Sequence, residues 1–152
     1  MKVLNAIVCT DINGAIRFQG MPLFHKYPFV KSLLDFFTTG STKITQLSPG
    51  AITVSDDKWQ YGFDTAYQAL KEALNFANDE IWIMGEGSEI EELIPQCQNL
   101  VVIEVHETAV KSDEKFSFDY SKWKRVLKKE CVSGGHQIGV YFFKNPAESK
   151  AA

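Results

Sequence analysis

A glycine-rich turn after an apolar segment is the first feature of this sequence that could do chemistry. Gly85, Glu86 and Gly87 directly follow the apolar residues 81–84, and Ser88 opens a segment with helical periodicity. Where a strand leads through glycines into a helix, backbone N–H groups can cradle a phosphate. These four residues are therefore candidate cofactor-binding residues, although glycines also occur where a helix packs closely against a strand.

The histidines and cysteines lack the spacing of a metal or redox site. The cysteines are odd in number, widely separated and form no C-x-x-C pair, and the histidines are equally scattered: Cys9, Cys97, Cys131, His25, His106 and His136. We therefore predict no metal site and no disulfide framework. Unpaired thiols of this kind are typical of a reducing, cytoplasmic setting.

Size and charge exclude several classes of protein. A chain of 152 residues with 45% hydrophobic residues is long enough to bury one core without disulfides. Its net charge of −3 gives no reason to expect a nucleic acid as partner. The apolar run near the start is short and interrupted by Asn5, which predicts a buried strand and no membrane segment.

The order of apolar segments and turn signals predicts an α/β fold. Alternating strand-like and helix-like segments favour a mostly parallel central sheet with helices on both faces. We expect mostly parallel strands near residues 3–10, 51–55, 81–84 and 100–105, and a further strand near 43–46. We expect a first helix between Phe29 and Gly40, and a second over 64–77, capped by Asp64, that crosses between neighbouring strands in a βαβ unit.

The end of the chain changes character. Two strand-like segments, 126–131 and 137–144, flank Ser133, Gly134 and Gly135, which predicts an antiparallel hairpin at one edge of the sheet. We expect a single domain over residues 1–145, followed by a flexible tail over 146–152. Ser88 and Glu91 have the spacing of a capping box at the start of a short helix.

Several strings, in order along the chain, resemble the dihydrofolate reductase family. They are residues 6–8 with 11–16 and 21–22, residues 81–87, residues 116–120 with Trp123, and residues 136–143. The resemblance implies that family's fold over about residues 3–144. It also implies a site for NADPH at the 85–87 turn and a site for folate beside the loop that carries Met21.

The residues that the resemblance places in the folate site are apolar in this chain. The family's pterin-binding carboxylate falls at Val30, its partner threonine at Ile103, and the tryptophan after the loop proline at Leu23. The aromatic residue beside the nicotinamide falls at Ile90. An apolar side chain cannot accept the donors of a pterin. Met21, Val30 and Ile103 are thus the substrate-binding positions implied, while Asp35 and Asp11 are the candidate acids if catalysis survives.

The cofactor side departs from the family in two places. Only Leu47 and Ser48 stand between the strand at 43–46 and the turn at Pro49, where the family inserts a phosphate-binding motif and a helix. A helix N-terminus that is absent cannot hold a phosphate. Glu86 replaces a glycine in the second phosphate turn, where a carboxylate about 4 Å from a phosphate would repel it by about 4 kcal/mol.

Two hypotheses follow. In the first, a divergent dihydrofolate reductase-like protein has lost the usual folate and NADPH sites and binds either a protein partner or a small ligand such as a pterin or nucleotide. In the second, the chain is an NADPH-dependent dihydrofolate or pterin reductase with a rebuilt active site. The first needs no cofactor, and the second needs NADPH.

Overall fold

A computed structural model describes residues 2–18, 21–48, 51–84, 88–106 and 115–147 of the chain. The strands are β1 (Val3–Asp11), β2 (Arg17–Phe18), β3 (Met21–Pro22), β4 (Thr42–Ser48), β5 (Ala51–Ser55), β6 (Gln60–Phe63), β7 (Glu80–Met84), β8 (Asn99–Val105), β9 (Lys124–Ser133) and β10 (His136–Lys144). The helices are α1 (Pro28–Thr38), α2 (Ala66–Ala73) and α3 (Ser88–Glu91), with 3-10 turns at Leu23–Lys26 and Ile94–Gln96.

Eight strands form one mixed sheet in the order β6-β5-β4-β7-β1-β8-β10-β9. The four central strands β4, β7, β1 and β8 are parallel, and each flank of the sheet is antiparallel. The predicted mostly parallel centre with a C-terminal hairpin is confirmed. The apolar strand β7 lies between β4 and β1, as expected for a strand that is buried on both faces.

One predicted strand direction is wrong. Residues 51–55 were expected among the parallel strands, but β5 pairs antiparallel with both β4 and β6. The physical reason is the length of the connection, because only residues 49 and 50 separate β4 from β5. A parallel crossover needs a dozen or more residues, whereas an antiparallel hairpin can close over two.

The βαβ unit around α2 also differs from the prediction. The strand that leads into α2 is the short β6, which is not among the predicted strands, and not β5. The chain then enters β7, with β5 and β4 lying between β6 and β7 in the sheet. The crossover therefore spans two intervening strands and does not join neighbours.

The capping of α2 differs by one residue from the prediction. Thr65, not Asp64, is the N-cap, and its hydroxyl oxygen accepts a hydrogen bond from the backbone N–H of Gln68 at 3.2 Å. The helix ends at Ala73, four residues before the predicted limit. Loss of the last predicted turn is typical of helix ends assigned from an apolar stripe alone.

Helices cover both faces of the sheet, as predicted. On one face, Val30 and Leu34 of α1 pack with Trp82 and Met84 of β7. On the other face, α2 and α3 pack against alternate residues of the same strands, and these residues include Ala69, Ile83 and Ile90. Among the described residues, no helix is long and apolar enough to cross a membrane.

The β9–β10 hairpin is confirmed. Gly134 and Gly135 have φ angles of 60° and 81°, and they connect Ser133 to its paired residue His136. Two consecutive positive φ angles suit the two-residue turn that matches the twist of an antiparallel hairpin. Glycine adopts both angles without the strain that a Cβ atom would cause.

Candidate functional site

The carboxyl ends of the parallel strands define the candidate site. β1 ends at Asp11, β7 at Met84 and β8 at Val105. Ligands of open α/β sheets bind in the crevice outside this edge. The turn formed by Gly85, Glu86 and Gly87 follows β7 but lies outside the described residues, and of Ser88 only the backbone, at the start of α3, is described.

The α1 side of this edge is filled with apolar side chains. Leu23, Val30 and Ile103 are each fully buried and belong to one packed cluster with Ile7 and Val105. The burial of Val30 confirms the orientation that its helical phase with Phe29, Leu33 and Leu34 predicts, although Phe29 itself is exposed. Met21 forms the short strand β3, and its side chain lies outside the described residues. Three of the positions implied for folate binding or its support thus form closed core.

Asp35 lies away from this cluster. Its side chain is exposed in the second half of α1 and lines a cleft of about 230 Å³ with Thr38, Lys43, Asp56 and other residues. Lys43 stands near the start of β4, so this cleft opens at the amino ends of the parallel strands. The two candidate acids, Asp35 and Asp11, are therefore not brought together.

Asp11 is a buried carboxylate at the carboxyl end of the central strand. It is 1% exposed, and its Oδ1 accepts hydrogen bonds from the backbone N–H groups of Asn13 at 2.8 Å and Ala15 at 2.9 Å. Its Oδ2 is also buried and has no hydrogen-bond partner among the described residues. A buried polar oxygen without a partner is costly. Asp11 thus combines a structural role with an oxygen that could accept a hydrogen bond from a ligand.

On the β4 side of the candidate site, only residues 49 and 50 connect β4 to β5. Ser48 pairs with Ala51, so the hairpin occupies the place where the resemblance implies a phosphate-binding helix. The β4–β5 pairing shifts register between Gln46 and Ser48, and the connection between the two strands is two residues long. None of the described residues from β4 to β5 belongs to a helix whose start could bind an anion.

A buried glutamine occupies part of the neighbouring helix start. Gln46 is 2% exposed, and its Oε1 accepts a hydrogen bond from the backbone N–H of Ile90 at 3.2 Å. Arg17 Nη2 donates to the carbonyl oxygen of Gln46 at 3.2 Å. A backbone N–H in the first turn of α3 is therefore already bonded within the chain. Ile90 itself is fully buried.

Glu91 forms a contact that the predicted capping box does not include. Its carboxylate oxygens accept hydrogen bonds from the backbone N–H of Ser117 at 2.9 Å and from the Ser117 hydroxyl at 2.7 Å. Glu91 thereby ties α3 to the segment before β9. Neither this contact nor the Gln46 contact could be read from the sequence, because their partners are 26 and 44 positions apart.

The architecture matches that of a solved enzyme. The structure of dihydrofolate reductase from Enterococcus faecalis, complexed with NADP(H) and RAB-propyl, is similar to this chain with a TM-score of 0.67. The similarity covers 93% of this chain and 95% of that chain, at 20% sequence identity. The chain has the dihydrofolate reductase fold. No protein-family model and no curated protein sequence matches it.

Within this dihydrofolate reductase fold, β8 carries a second polar group near the same edge. His106 Nε2 lies 3.1 Å from Glu104 Oε1, but the two atoms do not have hydrogen-bond geometry. Both side chains are 31% exposed, so the contact contributes little to stability. Burial, with smaller effects from Glu104 and Tyr141, raises the pKa of Tyr120 on the same face.

The cysteines of this fold differ in accessibility, and this difference predicts their reactivity. Burial, followed by the charge of Asp11, raises the pKa of the Cys9 thiol far above its ordinary value. Burial also raises the pKa of the Cys97 thiol to about 12, whereas Cys131 is partly exposed. Since the thiolate is the nucleophile, both buried thiols should be inert near neutral pH.

We expect iodoacetamide at about pH 8 to modify Cys131 alone in the native protein. Mass spectrometry should show one added group per native chain and three after unfolding in denaturant, since the chain has three cysteines. Rapid modification of Cys9 in the native state would contradict its assignment as a buried, protonated thiol. Cys131→Ser provides the control, because this variant should take up no label until it unfolds.

Proposed function

We propose that this protein is a divergent dihydrofolate reductase-like binding protein that has lost the usual folate and NADPH sites. The observation that carries the proposal is the closed cluster of Leu23, Val30 and Ile103. A pterin ring has several hydrogen-bond donors and acceptors, and each one left unpaired in an apolar pocket costs about 1–3 kcal/mol. Opening this cluster for a pterin would also sacrifice the packing of α1 on the sheet.

The cofactor side supports the same proposal. The direct β4–β5 hairpin offers no helix start for a phosphate, and Gln46 bonds an N–H group of α3. The described residues therefore do not fit NADPH, whereas the Enterococcus faecalis enzyme, which has the same fold, is complexed with NADP(H). The protein is proposed to act instead by binding a protein or a small ligand. Its unpaired cysteines support a cytoplasmic setting.

A reductase with a rebuilt site is the second candidate, and Asp11 is the observation that favours it. The unpartnered Oδ2 of Asp11 is buried at the carboxyl end of β1, where a substrate of an α/β sheet would lie. A carboxyl group placed within hydrogen-bonding reach of a substrate is the kind of side chain that transfers protons in enzymes. Asp35 is the less suitable candidate for this role because it is exposed at the other end of the sheet.

The two candidates differ in a reductase assay. We expect no consumption of NADPH above the uncatalysed rate when the purified protein is incubated with dihydrofolate and followed by absorbance. Robust turnover at ordinary enzyme concentrations would contradict the loss of the reductase site. In that case, Asp11→Asn and Asp35→Asn, made separately, would show which carboxyl group supplies the proton, because only the replacement of that group should lower kcat.

A further inference from the structure

The two edges of the sheet are protected to very different degrees. The β9 edge carries five charged side chains, a common device against unwanted strand pairing: Lys124, Arg125, Lys128, Lys129 and Glu130. The β6 edge, Gln60–Phe63, carries none, and three of its four residues are exposed. A Cβ atom added at Gly62 would meet nothing within 4 Å. Of the two edges, β6 is therefore the one open to another strand.

The backbone of β6 presents hydrogen-bonding groups to this open edge. The N–H of Asp56 donates to the carbonyl of Trp59 across the β5–β6 turn, and Val54 pairs with Tyr61 two residues along. Bonded and non-bonded pairs alternate along an antiparallel ladder. Tyr61 and Phe63 thus bond to β5, while Gln60 and Gly62 point their N–H and C=O groups outward.

A groove runs beside β6, between this strand and α2. It consists of two adjoining cavities of about 470 Å³ and 450 Å³ that share Glu72 and Asn75. Trp59 and Tyr61 border the larger cavity with exposed fractions of 59% and 46%. The ring of Tyr61 is held edge to face against Phe76, with centroids 6.1 Å apart. Two exposed aromatic rings thus stand next to an open strand edge.

The charges along the groove favour a cationic occupant. Four carboxylates line the two cavities, against two ammonium groups: Asp56, Asp57, Asp64 and Glu72, with Lys58 and Lys71. Asp56 also accepts hydrogen bonds from two backbone N–H groups of its turn. A guanidinium or ammonium group would find both opposite charge and aromatic faces here.

We propose that β6 is a docking strand for an extended, basic peptide segment of a partner protein. The peptide adds to the sheet through Gln60 and Gly62, and its basic side chains enter the groove over Trp59 and Tyr61. Strand addition supplies affinity through main-chain hydrogen bonds, and the pockets beside the strand supply specificity. The surface lies on the edge strand β6, which β5 and β4 separate from β7, so this inference stands whether or not the reductase site is lost.

Binding of a fluorescein-labelled Arg-Thr-Arg-Thr-Arg peptide to the full chain, measured by fluorescence anisotropy at low salt, tests the proposal. Alternation places the three arginines on one face of the added strand. We expect saturable binding that weakens with salt, and at least tenfold weaker binding of the matched Glu-Thr-Glu-Thr-Glu peptide. Equal binding of the two peptides, or binding of neither, would overturn the proposal.

Two pairs of variants locate the peptide. Gly62→Pro removes one outward N–H, which an edge strand tolerates, and should weaken binding at least tenfold, whereas Gly62→Ala keeps that N–H and should change binding less than twofold. Trp59→Ala should weaken binding severalfold, and the exposed Tyr67→Ala on α2 is its control. Circular dichroism confirms that each variant is folded. Unchanged peptide binding by folded Gly62→Pro and Trp59→Ala would overturn the proposal. It would also be overturned if sedimentation showed a dimer of the parent protein that Gly62→Pro abolishes, because β6 would then pair with a second copy of the chain.

Discussion

Replacement of Val30 by aspartate should lower the free energy of unfolding by about 3–5 kcal/mol, the cost of an uncompensated charge in a core. Val30 is fully buried in the same cluster as Leu23 and Ile103. Among the described residues, that cluster contains no lysine or arginine that could pair with the new carboxylate. The new carboxyl group would either take up a proton or force α1 away from the sheet. Equilibrium denaturation by urea measures this loss.

Two further substitutions on α1 separate the effect of burial from that of helix formation. Val30→Thr keeps the shape of valine and adds one hydroxyl group, so it should cost less, about 1–3 kcal/mol. Ser32→Asp places the same carboxylate on the exposed face of the same helix and should stay within about 0.5 kcal/mol of the parent protein. If Val30→Asp kept the parent stability and gained affinity for dihydrofolate, the cluster would be an open pterin pocket and not core.

The burial of Val30 could be predicted because helical phase is a local property of the sequence. The same holds for the β9–β10 hairpin, where Gly134 and Gly135 follow a strand-like run and adopt the positive φ angles that glycine allows. The central position of β7 could be predicted because residues 81–84 are all apolar, so that both faces of the strand must be buried. Each of these signals lies within about ten residues of chain.

The errors arose where the signal was short or depended on distant residues. β6 has four residues, of which one is glycine, so its alternation could not be distinguished from a loop. The direction of β5 is set by the two-residue connection to β4, which dictates a hairpin, and not by the apolar pattern of the strand itself. In the candidate site, the bond from Ile90 to Gln46 and the unpartnered Oδ2 of Asp11 depend on the assembled fold.

The proposed loss of the dinucleotide site predicts a large defect in cofactor binding. The β4–β5 hairpin stands where the resemblance implies a first phosphate contact. In the second implied phosphate turn, residues 85–87, the sequence has the carboxylate of Glu86. Lost contacts worth about 3–4 kcal/mol weaken binding some hundreds-fold. Glu86→Gly serves as the informative variant, because tighter NADPH binding by this variant would indicate that the 85–87 turn faces a phosphate.

The most direct measurement is a calorimetric titration of the purified protein with NADPH, since cofactor binding is required by the reductase hypothesis and not by the binding-protein hypothesis. The titration reports on the dinucleotide site without depending on which carboxylate acts as the acid or which pterin is supplied. We predict no saturable heat of binding up to about 1 mM NADPH, equivalent to a binding free energy weaker than about −4 kcal/mol. Stoichiometric binding at about 1 μM would contradict the account and make the protein a candidate reductase.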